Sequence, residues 1–542
     1  MIAIALGQVL LAFNTASLPV ALSGLVKTFG VPPTTVAASI VMYSLAVAGF
    51  VMLGAKLNQR FGAVRVFRAV VILFGVAQAL MTFSPDATAM IVAQGLCGVA
   101  GAALVPSLVM LVADKYRGEQ QAAALGVLGA AGAGAAVAAF MIGGILGTYI
   151  GWRPAFGILM VLAFVVFILS LRFAADRGHP EVQIDIVGVI LAAASIILIS
   201  LGFNNLTSWG AGFAGPAAPF DLLGVSPAPI MILIGIVLGQ AFISWTRRRQ
   251  ANEKTPLLAM DVMNSPQQRA AVYAVFSVGA LEAMLNFSMP LYIQIVQGRS
   301  PLETAIAMMP FNLSIFIAAL LVVKLYDKLT PQQIGRYGFI ICAIALLWLA
   351  FVVRNDWSKI PVIIGLVAFG LGQGSLITLV FNVLVTASPK SLAGDVGALR
   401  GTTQNLAVAI GTAVGSALLV GLLGAAVMRS LAATPLLPAE LQSQVDLDNI
   451  NFVSNDHLKD VLVQTTATPA QVDEAVRINT EARLRALKIG LLVMAAIALL
   501  TVAPAGRLPS HIPGKGPIDD RDARTERDRT SARTRRSAMR SG

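Results

Sequence analysis

At 542 residues the chain is 57% hydrophobic and only 12% charged, with a formal net charge of +12. That composition, with a mean hydropathy of +0.79, excludes a water-soluble globular protein, because the polar residues are too few to clothe a core of that size. Cys97 and Cys342 are the only cysteines, which excludes a disulfide framework and any thiol metal site.

Apolar runs of the ~20 residues that a helix needs to cross a bilayer recur along nearly the whole sequence. Barrel strands would instead alternate over ~10 residues. The first run, 3–25, contains Gln8 and Asn14 and ends in no small-residue cleavage pattern, so it reads as a span and not a cleaved leader. Four more follow at 36–55, 68–85, 89–112 and 121–147, the last crowded with glycines from Gly126 to Gly147 that suit close helix packing. A sixth run at 155–172 precedes two at 186–206 and 228–246. Residues 247–269 then form a basic linker that begins with Arg247, Arg248 and Arg249. Spans resume at 270–295, 304–323, 335–353, 360–387 and 400–427. A polar stretch at 428–486 contains segments 438–446 and 469–485 that read as short amphipathic helices, before a last span at 487–505. The end, 506–542, has hardly any apolar content and is expected to be disordered.

Lysine and arginine gather in alternate turns, as Lys56, Arg60, Arg65 and Arg68, then Lys115 and Arg117, then Arg247 to Lys254, then Lys324, Lys328 and Arg336. The opposite short turns offer only Lys27, Arg153, Arg299, Arg354 and Lys359. Positive residues stay on the cytoplasmic side, so the expectation is a multi-pass protein of the cell (inner) membrane with both termini cytoplasmic. The net charge is then a topology signal. Basic residues lining one membrane face, with no compact basic domain, point away from a nucleic-acid partner.

An internal echo links the two parts of the chain. Gly54-Ala-Lys56-Leu57-Asn-Gln59-Arg60 after the second span matches Val323-Lys324-Leu325-Tyr-Asp327-Lys328 after the tenth, each with Leu, a spacer, a polar residue and a basic one. Duplicated helical halves with a substrate site at their interface are a recurring plan of secondary transporters.

These segments resemble the major facilitator superfamily, in particular its fourteen-span drug:proton antiporter branch. Gly54 to Phe67 is similar to the loop signature between the second and third spans, and Gln94 to Pro106 to the fourth-span pattern. Gly151-Trp-Arg153 resembles the turn before the sixth span, Ile184-Asp185-Ile-Val-Gly188 with Ser208-Trp-Gly210 the inserted seventh span, and Glu253-Lys-Thr-Pro256 the linker before the second half. Met289-Pro-Leu-Tyr-Ile-Gln294 with Ser300-Pro-Leu-Glu-Thr304 is the closest local match. The resemblance implies an all-α membrane protein of the major facilitator fold. Two six-helix bundles, 1–172 and 270–505, would flank an inserted two-helix segment and linker at 173–269, with cavity helices in spans one, four, nine and twelve. The chain departs from the branch at four places, having Gln59 for the usual Asp, Gln94 for the usual Arg, Asn14 for the usual acid, and Ala139-Phe140 for Gly-Pro.

Glu282 is the outstanding site candidate, because a carboxylate within a span is costly and marks function. In such surroundings a carboxyl group can take up and release a proton during a transport cycle, or serve as a hydrogen-bonded structural group. Asn286 lies one turn on, on the same face. Asn14, Gln94, Gln373 and Asn382 fall in the other presumed cavity helices, where amides can orient a polar substrate group or simply tie helices together. Lys56, Arg60, Arg65, Asp327 and Lys328 sit at cytoplasmic turns, where the resemblance implies gating and the plain alternative is positive-inside anchoring. The chain has no phosphate loop for ATP, no His-Glu-x-x-His, and histidines (His179, His457, His511) only outside the spans. No enzyme activity and no cofactor are therefore expected.

The expected function is secondary transport, as a monomer, of a hydrophobic or amphipathic small molecule outward across the membrane, with protons as a candidate coupling ion and lipids as surroundings. Two alternatives share the fold, a lipid or glycolipid exporter and a transport-inactive membrane sensor or scaffold.

Overall fold

The computed structural model describes residues 1–510 apart from 117–118, 175–177, 207–208, 211, 216–217, 222, 253, 326–327, 355–359, 387–392, 434–458, 460–462 and 464–467. Among the described residues fifteen α-helices carry the fold, and strand-type pairing amounts to one isolated bridge between Phe213 and Val225. The helices are α1 (Ile2–Val20), α2 (Leu22–Phe29), α3 (Pro33–Phe61), α4 (Ala63–Thr82), α5 (Ala87–Lys115), α6 (Glu119–Tyr149) and α7 (Arg153–Ser170). They continue with α8 (Ile186–Asn205), α9 (Pro227–Ala251), α10 (Pro266–Leu291), α11 (Pro301–Leu321), α12 (Pro331–Val352), α13 (Ile360–Thr386), α14 (Ala393–Ala433) and α15 (Pro469–Ala505). Thirteen are long and apolar enough to cross a membrane, and α14 lies where the remaining expected span falls.

The second part of the chain starts its helices with one repeated device. Ser265-Pro266, Ser300-Pro301, Thr330-Pro331 and Thr468-Pro469 are each followed by Gln or Glu at the third helical position, and all four close a capping box. The hydroxyl takes a backbone N–H inside the first turn, the Gln or Glu reaches back to the cap, and proline occupies a site whose N–H would be unpaired anyway.

Two expectations change. The single run 3–25 is two helices that meet at Ala21, because Pro19 has no N–H to continue the ladder through the bend. Segment 469–485 is no separate short helix: it forms the first turns of α15, a continuous 37-residue rod that includes the last span. Segment 438–446 and most of the tail, 511–542, lie outside the described residues.

The packing is duplicated. Within the first six spans, α1 packs on α6, α3 on α5, α4 on α5 and α4 on α7. The equivalent pairs recur in order as α10 on α14, α11 on α13, α12 on α13 and α12 on α15. Two crossings join the sets, α3 with α14 and α6 with α11, and these are each other's counterparts. Helices α8 and α9 pack on one another, with α8 seated against α3 and α14.

Glycine makes the α3–α5 crossing close. A Cβ on Gly54 would strike the Ala102 carbonyl and Ala103 of α5, and one on Gly98 would strike the Tyr43 carbonyl of α3. Asn58 then clamps the same pair, its Nδ2 donating to the Ala103 carbonyl at 3.1 Å while Ser107 Oγ donates to its Oδ1 at 2.7 Å. Gly54→Val should therefore lower the melting temperature of the purified protein by several degrees. Gly134→Ala, where nothing lies within 4 Å, should leave it unchanged or raise it slightly. Equal melting temperatures for Gly54→Val and wild type would show that the crossing is not close-packed.

Candidate functional site

Helix α10 presents two faces. Gly279 packs against Gln404 and Ala407 of α14, Gly411 of α14 against Ala280, and Gly415 against Met284 and Ser288. A helix turns about 100° per residue, so Glu282 points away from α14, and Asn286, one turn on, points the same way. Between Val278 and Val296 these are the only two residues that are not buried. Two polar side chains are thus incompletely covered in an otherwise sealed stretch of helix. Among the described residues no hydrogen bond or ion pair reaches the Glu282 carboxylate, and Asn286 Oδ1 has no partner.

The polar residues of the first half are arranged differently. Asn14 Nδ2 donates to Gln94 Oε1 at 3.0 Å, and Gln78 Nε2 donates to Asn14 Oδ1 at 2.8 Å and lies 3.4 Å from Cys97 Sγ. All four side chains have no exposed surface. The cluster ties α1, α4 and α5 together with neutral amides, and its members are shut off from open space by one another. Gln78 escaped sequence reasoning, although one amide in the apolar run of the third span was a signal to be used.

Midway along α13, Gln373 is fully buried with both amide atoms unpartnered among the described residues, and Asn382 is half-buried near the C-terminal end of that helix. Among the described residues no hydrogen bond links either of them to Glu282.

Successive turns lie at alternate ends of the helices, and the end rich in lysine and arginine is here named the basic end. There Lys56 Nζ of α3 lies 3.9 Å from Asp395 Oδ1 at the start of α14, an ion pair across the α3–α14 crossing. Arg60 sits over the Phe61 ring at 5.6 Å, and Arg65 and Lys328 are exposed. Asp327 lies outside the described residues. Arg68, by contrast, caps α7 by donating to the carbonyls of Ser170 and Phe173 at 3.0 and 2.8 Å.

The opposite end is tied shut. After α10 the chain makes a π turn, Tyr292–Val296, in which buried Gln294 reaches the α1–α2 bend. Its Oε1 accepts the Ser23 N–H at 2.9 Å and its Nε2 donates to the Pro19 carbonyl at 3.1 Å. At the α6–α11 crossing, the Leu302 N–H donates to Thr148 Oγ1 at 3.0 Å, and Gly144 and Gly147 admit Ala305 and Pro301 at contact distance. Gln294 and Thr148 were missed as ties because the contacts join positions far apart in sequence, although Gln294 ends the segment of closest local resemblance.

The sequence model of the Major Facilitator Superfamily matches residues 4–412. The chain belongs to that superfamily. It is a multi-pass membrane protein of a transporter family, with relatives at low identity. The MFS-type transporter YfiU of Bacillus subtilis is 28% identical, with 72% of this chain and 73% of that protein aligned. The multidrug efflux pump LfrA of Mycolicibacterium smegmatis is 24% identical, with 76% and 78% aligned. Among solved structures, a bacterial homologue of the human lysosomal transporter Spinster superposes with a TM-score of 0.59 over 93% of this chain and 96% of its own, at 15% identity. The superfamily fold is thereby secure; within it lie a neutral amide cluster and a carboxylate that is unpaired among the described residues.

Two outcomes test these ties. Asn14→Leu leaves two buried amides without their shared partner, each loss worth about 1–3 kcal/mol, so the variant should melt several degrees below wild type; an unchanged melting temperature would remove the cluster as a structural tie. Gln294→Leu takes the acceptor from the Ser23 N–H, so hydrogen exchange in peptides covering 19–25 should quicken. Unchanged exchange there would mean that Gln294 does not hold that end closed.

Proposed function

We propose that this chain is a secondary exporter of hydrophobic or amphipathic small molecules, with Glu282 as its proton-handling group. The observation that carries this reading is the burial pattern of α10, in which only Glu282 and Asn286 are incompletely buried between Val278 and Val296. A carboxylate kept without a counter-charge inside a membrane protein is expensive, and a proton-coupled cycle gives it a use. Asn286 can donate to and accept from a polar group of the cargo one turn away, while sparse polar anchors among apolar side chains suit a lipophilic cargo. Relatives that include a multidrug efflux pump support export of drug-like molecules.

On this reading, residues 1–172 and 270–505 are the two six-helix bundles, 173–269 the inserted pair and linker, and 428–486 a polar segment on the outer face. The basic end is cytoplasmic, with both termini there, and the Gln294 end is the closed outer mouth. Lys56 and Asp395 form the inner latch, while Arg60, Arg65 and Lys328 anchor that end. Asn14 and Gln94 hold the first bundle in register, so coupling rests on the second bundle alone.

Reconstituted vesicles supply the test. With an imposed pH gradient, wild-type protein should drive uptake or release of a lipophilic cation such as ethidium, and Glu282→Gln should reduce the pH-driven flux by about tenfold or more. Glu282→Gln flux equal to wild type would remove Glu282 as the coupling group. Wild-type vesicles that bind the dye yet move none, with or without the gradient, would favour the sensor or scaffold reading instead.

A further inference from the structure

A cavity lies away from Glu282, on the far side of the α3–α14 crossing beside α8 and α9. It has a volume of about 520 Å³ and opens at the basic end between the α8–α9 pair and the α3–α14 crossing, a size that suits a small amphipathic ligand. Its existence follows from how α9 is held. Gly202, Gly235 and Gly239 bring the α8 and α9 backbones into close contact, so α9 follows α8 and stands off from α3 and α14. Of the thirteen apolar spans α9 is the least buried, so the outer wall of the cavity faces the hydrocarbon.

The lining is divided by chemistry. Met52 of α3, Ile196 of α8, Ile236 of α9 and Leu399 of α14 make an apolar slot, and Arg247 and Arg269 line the same cavity with exposed side chains. Arg249 is the one that pairs with Asp185, at 3.5 Å. Asp261 is held by Gln250 and Asn264 at 2.8 Å each, and Asp395 faces Lys56. Among the described residues neither Arg247 nor Arg269 forms an ion pair.

Two arginines over an apolar slot that opens to lipid complement a molecule with an anionic head and a hydrocarbon tail. We propose that this cavity holds one acidic phospholipid of the leaflet at the basic end, with its phosphate on Arg247 and Arg269 and an acyl chain along Met52, Ile196 and Ile236. Basic pockets between membrane helices favour such head groups electrostatically. The bound lipid bridges α9 to the crossing that carries Lys56 and Asp395, and so steadies the arrangement of α3 and α14 seen here. This site is separate from Glu282 and does not depend on which solute is carried.

Native mass spectrometry and thermal melts of the full-length, delipidated protein test the assignment. Adding phosphatidylglycerol should give one retained lipid that saturates and raises the melting temperature. Phosphatidylcholine and inorganic phosphate should do neither. The double variant Arg247→Gln, Arg269→Gln should weaken phosphatidylglycerol retention by about tenfold. Ile236→Trp, which keeps both charges and fills the slot from a part-exposed position, should weaken it as well. Equal retention of phosphatidylcholine, a matching shift with phosphate alone, or unchanged retention by the variants would each overturn the proposal, pointing respectively to unspecific lipid, a bare anion site, or binding elsewhere on the surface.

Discussion

Hydrocarbon offers no hydrogen-bond partner, so every polar group within the spans must find one in the protein or be kept for a purpose. Most of this chain obeys the first half of that rule. Asn14, Gln78 and Gln94 satisfy one another, Asn58 spends its amide on the α3–α5 crossing, and Arg68 covers the free carbonyls at the end of α7. Asp185 caps α8 by accepting the Gly188 N–H and also takes the Trp245 indole and Arg249, so α8 and α9 are pinned together through one carboxylate. Against that background Glu282 is conspicuous, since the same accounting leaves it without a partner among the described residues.

The first-half cluster also changes how the departures from the antiporter branch should be understood. Asn14 and Gln94 stand where the branch usually carries an acid and an arginine, and here they are in direct contact. Losing one charge of a buried pair strands the other. Losing both together preserves the hydrogen bond and removes the desolvation cost. The neutral pair thus joins α1 to α5 by a hydrogen bond without burying a charge.

Much of this architecture was legible in the sequence, for definite reasons. Apolar run length fixes which segments can be spans, and the Leu57–Arg60 echo at Leu325–Lys328 announced the duplication that the helix pairs repeat. Glu282 stood out because it is a charged residue within an otherwise uncharged span. The α1–α2 break did not, because hydropathy averages over a bend that Pro19 alone signals. Residues 469–485 misled in the other direction: their charges suggested a separate helix, yet Arg477 meets Glu474 and Glu481 along one face and the backbone runs on unbroken. The Lys56–Asp395 pair and the Gln294 tie join residues hundreds of positions apart, and no local pattern encodes such a partner.

The unbroken length of α15 has a mechanical corollary. Thirty-seven helical residues extend ~55 Å at 1.5 Å per residue, well beyond the ~30 Å of hydrocarbon. Its charged forward turns, from Asp473 to Lys488, thus ride on the same stiff shaft as the apolar portion that follows. Any rocking of that portion within the lipid swings the forward tip through a wider arc, as the far end of an oar does. A small tilt among the packed helices is in this way broadcast as a larger sweep at the surface.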